Sequence, residues 1–203
     1  MRRALYLLAA VLAGAASAAS AQVRPVLEAR LDTLASNPHG LLLRVTGLLN
    51  DPEWRDQLDA SFTIQLHWSV QLWKKGGIIL GFGDRGQPKV EWDTEVHAIP
   101  QLLQFVGTTR VPGRPDRDER FGSFDALKIW QETPLRLSQP RARLDAGEWY
   151  YLVSVEVRAL TQDEIDARTR GSSGGVGQAL TKFLVGGSSM SLPHERITFT
   201  IPR

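Results

Sequence analysis

The chain contains no cysteine. That absence removes disulfides, zinc–thiolate sites, thiol nucleophiles and redox sensing together, and leaves the apolar core to supply the stability. A surplus of charge of one sign is also missing: 24 Lys and Arg face 22 Asp and Glu, for a formal charge of +2. Arg2 and Arg3 carry that surplus, and without them the chain is neutral. Neutrality argues against a nucleic-acid binder, which needs cations massed on one face. No internal repeat of solenoid or propeller spacing is visible.

What is present at the N-terminus has the form of a secretory signal. Met1, Arg2 and Arg3 make a positive start, Ala4 to Ala16 are apolar or small, and Ala19-Ser20-Ala21 supplies the small-x-small site that signal peptidase needs. The apolar stretch is shorter than the ~20 residues that cross a bilayer, so cleavage before Gln22 is expected rather than an uncleaved anchor. With no cysteine there is no thiol for a lipid anchor. Residues 1–21 are therefore expected to be a signal peptide and 22–203 a single β-sandwich-like domain, exported to the periplasm or beyond, with no stable membrane span after cleavage. A disulfide-free domain of this size fits a bacterial envelope.

The clearest pattern runs from Phe62 to Leu72, where Phe62, Ile64, Leu66, Trp68, Val70 and Leu72 alternate with polar residues, as in a strand with one buried face. Val90 to Ala98 repeats it. Further strands are expected over Val26–Leu34, Leu41–Leu49, Leu102–Thr109, Leu135–Leu137, Trp149–Ala159 and Ile197–Ile201. Ile78 to Leu80 continue the apolar character of the first pattern. Asp51 caps a helical turn that has Pro52 in its first position. Ser123 caps a short helix to Gln131 that sets Phe124, Leu127 and Trp130 on one face. Thr161-Gln162-Asp163-Glu164 is a capping box opening a charged helix. Arg110 to Arg120, with its prolines, glycine and charges, is expected to be an exposed loop. Flexible Gly/Ser segments are expected near 171–177 and 186–189, with an amphipathic helix over Gln178–Val185 between them. Some seven short strands joined by turns and small helices predict a mainly β fold, an antiparallel β-sandwich.

Several segments imitate chemistry. Gly81-Phe82-Gly83-Asp84-Arg85-Gly86 spells G-x-G-x-x-G, but Pro88 and a strand follow where a dinucleotide site needs a helix to begin. Gly171-Ser172-Ser173-Gly174-Gly175 matches G-x-S-x-G without the rigid strand that a nucleophile elbow requires. His67, Glu91, Asp93, Glu95 and His97 fall on the polar faces of the two best strands. Among them His67, Glu95 and His97 are candidate metal ligands, set against the simpler reading of a wet outer face. Trp73, beside Lys74 and Lys75, falls on the polar side by parity and is either an exposed binding aromatic or locally packed. Trp54, Trp68, Trp92, Trp130 and Trp149 read as core. Gln178–Val185, with one lysine, lacks the length and charge of an interfacial membrane helix. No catalytic residue and no cofactor site is expected.

Taken in order, the early apolar strand, the Leu49-Asn50-Asp51 bend, the long strand ending in Trp73-Lys74-Lys75, Phe121-Gly122-Ser123-Phe124-Asp125-Ala126-Leu127 and Tyr150-Tyr151-Leu152-Val153-Ser154-Val155-Glu156-Val157 resemble a family of small bacterial exported proteins classed as a domain of unknown function. The likeness runs from about Leu27 to Thr161, and the Gly/Ser-rich region departs from it. The resemblance implies a β-rich periplasmic domain and carries over no site residue. The expected function is that of a non-catalytic envelope domain that binds a protein partner or supports an envelope assembly, through its edge strands or the Arg110–Arg120 segment. The alternative is a carrier or sensor for a small apolar ligand held between the sheets.

Overall fold

A computed structural model describes residues 24–32, 34, 39–76, 83–111, 114–138, 144–171 and 188–202. The described residues form β1 (Val26–Leu31), β2 (Leu41–Thr46), α1 (Pro52–Asp59), β3 (Thr63–Lys74), β4 (Arg85–Gly86), β5 (Val90–Ile99), β6 (Gln104–Arg110), β7 (Arg117–Phe121), α2 (Phe124–Gln131), β8 (Leu135–Leu137), β9 (Gly147–Leu160), α3 (Gln162–Gly171), β10 (Ser189–Ser191) and β11 (Glu195–Ile201). Short 3₁₀ turns at Leu48–Asn50 and Pro100–Leu102 complete the set. The fold is mainly β and antiparallel, with two sheets in a sandwich. A three-stranded sheet runs β1-β2-β8, and a larger one runs β10-β9-β3-β5-β6-β7, with β11 also on β9 and β4 on β3.

Period-two alternation decides which face each strand buries. Cross-strand register on β3 sets Ile64, Leu66, Trp68 and Val70 beside Val96, Thr94, Trp92 and Val90 of β5, and beside Ala159, Val157, Val155 and Val153 of β9. Trp68 and Trp92 are direct partners, and their rings stack at 5.6 Å with 4° between planes. The small sheet adds Leu27, Leu41, Leu43 and Val45 to this core. Helix α1 contributes Trp54 and Leu58, and α2 contributes Leu127. The small sheet is clamped at its end by Asp32, whose side chain is buried and ion-paired with Arg136 at 2.8 Å.

Helix α2 packs on β6 and β7 through Phe124 against Phe105 and Trp130 against Phe121. Gln131 and Glu132 tie its end to the other sheet, through Gln131 Nε2 donating to the Val45 carbonyl at 3.0 Å and Gly47 N–H donating to Glu132 at 3.1 Å. The start signals act as expected. Asp51 accepts from Glu53 N–H at 3.0 Å and Ser123 from Ala126 N–H at 3.2 Å. Thr161 and Glu164 exchange hydrogen bonds as a capping box does.

Three expectations need adjustment. The strand expected over Leu41–Leu49 ends at Thr46, because Gly47 turns the chain at φ 76° into the 3₁₀ turn. The single turn expected after Asp51 extends to two, since Trp54 and Leu58 give it a buried stripe. The expected loop at Arg110–Arg120 is in part strand: β6 runs through Arg110 and β7 begins at Arg117. The charges that suggested a loop belong to an edge strand, where they keep an open row of amides from pairing with another chain. The candidate signal at 1–21, Ile78–Leu80, Ser173 and Gln178–Val185 lie outside the described residues.

Candidate functional site

The face of the large sheet turned away from the core collects the polar residues that the alternation singles out. Register lines them up in rows across the strands. One row runs Glu156 (β9), His67 (β3), Asp93 (β5), Arg110 (β6), and the next runs Arg158, Gln65, Glu95, Thr108, Asp118 (β7). In the first row His67 Nδ1 lies 2.8 Å from Asp93 Oδ1. An ionised carboxylate only accepts, so the Nδ1 nitrogen carries the proton. The ring's other nitrogen is turned toward Glu91, 3.7 Å away. Lys89 sits on the same Glu91 oxygen at 2.5 Å, and that hydrogen bond is the main reason the Glu91 carboxyl is held below its ordinary pKa. Glu156 is taken by Arg158, at 3.0 Å and 2.6 Å to its two oxygens.

The second row is not wet. Gln65, Glu95 and Thr108 are each about 95% buried. Glu95 Oε1 accepts from Gln65 Nε2 at 3.3 Å and from the Arg110 guanidinium at 2.8 Å, and Arg110 also reaches Asp116 at 3.0 Å. Thr108 donates to Asp118 at 2.8 Å. A buried carboxylate needs such partners, because losing its hydration costs several kcal/mol when it is unpaired. His97 stands one row further on, half-buried. Loss of solvent pushes its pKa below the ordinary value, with Arg110 adding to the shift and Asp118 opposing it.

The structure therefore places His67, Glu95 and His97 on one face, with His67 bonded to Asp93, Glu95 to Gln65 and Arg110, and His97 acted on by the charges of Asp118 and Arg110. No group of three His, Asp or Glu residues spaced to hold a metal ion occurs among the described residues. The side chain of His67 is 37% exposed and that of Glu95 only 5%. The simpler reading of a wet outer face describes Glu91, Asp93 and His67, and fails for Glu95.

At the opposite end of the same face Trp73 stacks on Tyr150 with the planes 5° apart and centroids at 6.4 Å. Gly86 of β4 lies under the ring: a Cβ there would come within 3.2 Å of Trp73 and 2.9 Å of Gln71. Trp73 is packed, as the local alternative held. The described part of the G-x-G-x-x-G segment is thus a hairpin arm on β3, with no helix beginning there. Tyr150 in turn donates to Asp84 at 2.7 Å, and Asp84 also accepts from Gly76 N–H at 2.9 Å.

No match to a protein-family model, a curated protein or a solved structure is found for this chain.

Surface grooves lined by described residues lie at β1 and beside β11. One, of about 420 Å³, borders the free edge of β1 and is lined by Val26 to Arg30, Leu42, Arg44, Pro134 and Glu195. The other, of about 290 Å³, lies beside β11. The space between the sheets is occupied by Trp54, Trp68, Trp92 and Trp149 together with the aliphatic core. The sequence alone did not point to the Arg110–Glu95 pair, a diagonal contact between the neighbouring strands β5 and β6, or to the Tyr150–Asp84 link, which spans 66 positions.

Proposed function

We propose that the chain is an exported, non-catalytic bacterial envelope domain that binds an extended segment of a protein partner along the free edge of β1. The groove at that edge carries the reading. Edge strands invite pairing unless they are short, charged or covered. Strands β8 and β10 have three residues each, β7 reads Arg-Asp-Glu-Arg-Phe, and β11, paired with β9 alone, adjoins β1 and borders its groove through Glu195. Strand β1 is six residues of alternating Val-Leu-Glu-Ala-Arg-Leu, with Val26 52% exposed and an apolar floor of Leu27, Ala29, Leu42 and Pro134 beside it. A peptide adding there would gain main-chain hydrogen bonds from the edge and side-chain contacts from the groove. Glu28, already paired with Arg44 at 2.6 Å, and Arg30 would set its charge preference at the rim. An apolar ligand between the sheets would instead have to displace packed tryptophans.

The test is site-specific photocrosslinking in cells with a benzophenone side chain at Val26, and at exposed Ile129 of α2 as the comparison. A reproducible adduct confined to Val26, with slowed amide exchange over residues 26–31 once the captured partner is added, is the expected result. Equal adducts at both positions, or unchanged exchange in β1, would overturn it.

A further inference from the structure

The second groove belongs to the far end of the polar face and contains Arg196, a cation whose charge acts on nearby Asp84 but which forms no ion pair among the described residues. Strand β11 presents Arg196, Thr198 and Thr200 on one side, two residues apart, facing Leu152, Tyr150 and Glu148 of β9. Arg196 lays its guanidinium over the Tyr150 ring with Cζ 3.7 Å from the centroid. Tyr150 cannot swing away, since Trp73 stacks on it and Asp84 accepts its hydroxyl proton. The pile Arg196, Tyr150, Trp73 and Gly86 thus fixes the plane of the guanidinium, whose N–H groups have no hydrogen-bond partner among the described residues. Stacking of this kind pre-organises an arginine and reduces the ordering cost of its hydrogen bonds.

The other cations at this end are already paired. Lys75 holds Glu148 at 2.7 Å and Lys74 holds Asp145 at 3.5 Å. No carboxylate of the described residues lies within ion-pair reach of Arg196, and Asp84 has both oxygens engaged, by Gly76 and Tyr150. The hydroxyls of Thr198 and Thr200 have no hydrogen-bond partner among the described residues, and both line the groove of about 290 Å³ with Lys75, Tyr150, Arg196 and the Lys75-paired Glu148. An oriented guanidinium and two hydroxyl donors on the same strand face thus line a concave site in which the Lys75 ammonium is held by Glu148.

We propose that this groove is a binding site for a small oxyanion, a carboxylate or a phosphate group, held bidentately by Arg196 and completed by Thr198. The planar fork suits either group, because both offer two coplanar oxygens at the spacing of the guanidinium N–H pair. The Asp84 carboxylate, which stays ionised because its two hydrogen bonds lower its pKa, opposes the incoming charge across Tyr150. The site is open to solvent, so affinity at about the millimolar level is expected rather than tight capture.

Titration of the purified protein with inorganic phosphate, and separately with acetate, is followed through the Arg196 Nε–H resonance, which Arg196→Gln identifies by its loss. Sodium chloride at matched ionic strength is the control. A saturable shift with phosphate or acetate, absent with chloride and weakened about tenfold by Thr198→Val, is the expected result. Saturation by one anion alone would name the group recognised. A linear response, a shift reproduced by chloride, or a Thr198→Val titration identical to that of the unaltered protein would overturn the site. Thermal unfolding of Thr198→Val at the unaltered midpoint keeps loss of fold out of the comparison. The site shares no lining residue with the β1 groove, so either proposal can fail alone.

Discussion

Gly107 sits in the middle of β6, where a glycine weakens a strand unless something needs the space. Trp130 needs it: a Cβ at that position would fall inside the indole's van der Waals envelope, with Cη2 at 2.5 Å. Gly107→Ala must push Trp130 off Phe121, and the expected cost is about 1–3 kcal/mol, read as a lowered urea midpoint at unchanged slope. A second prediction at this scale concerns His97. Burial lowers its folded-state pKa below the unfolded value, so the unfolded chain binds the extra proton first as pH falls. Stability is then fully present above the unfolded pKa near 6.5 and declines as pH drops through it toward the lower folded value. Urea unfolding at pH 7.5 and 5.5 should show that decline, and His97→Gln should flatten it. An equal decline in the variant would assign the effect to the carboxylates instead. Of the residues that carry polar chemistry, His67 and His97 were visible in the alternation. Glu95 was visible as a residue but not as a buried one, because what buries it is Arg110 on a neighbouring strand.

Elements were legible where one periodicity held for a full face. Strands β3, β5 and β9 show that, each with most of its apolar residues on one parity, and α2 shows its cap and its stripe. Short or exposed elements gave weaker signals. Strand β10 has three residues, Ser-Met-Ser, and is held by β9 rather than by any preference of its own. Strand β7 carries four consecutive charges, and a rule tuned to buried faces reads that as loop. Trp73 was ambiguous because parity alone puts it outside, whereas the hairpin arm at Gly86 and the Tyr150 ring surround it. Helix α1 tests the cap argument directly. Asp51 is 6% exposed and satisfies a first-turn amide, so Asp51→Ala should cost about 0.5–2 kcal/mol, measurable by chemical denaturation, and Asp51→Ser should recover most of it.

At the scale of the molecule the two faces of the large sheet have different duties. The inner face supplies stability: its apolar residues share one core with those of the small sheet, whose β1 adjoins β11, while α1 and α2 extend the cover toward β5, β6 and β7. The outer face supplies ordered polar rows ending in the Trp73–Tyr150–Arg196 stack. Such an arrangement leaves recognition to edges and to the outer face, in keeping with partner binding as proposed. The export half of that proposal has its own check. An intact mass of the protein recovered from an envelope fraction should correspond to a chain starting at Gln22, and a mass retaining Met1 to Ala21 would count against signal cleavage.

Strand β9 also has a history implied by its pairing. Its 14 residues find β3 on one side, separated by some eighty positions of sequence, and on the other side they are covered only by β11 and β10, which lie near the end of the chain. Contacts so distant in sequence make for slow folding. Until Ser189 to Ile201 arrive, one border of the longest strand stands open, with Trp149, Tyr151 and Val153 alternating along it. A chain cut short before Glu195 should therefore leave a sticky ribbon and precipitate or stack with its own copies, whereas loss of Arg203 alone should go unnoticed. The last strand acts as the seal on the sheet.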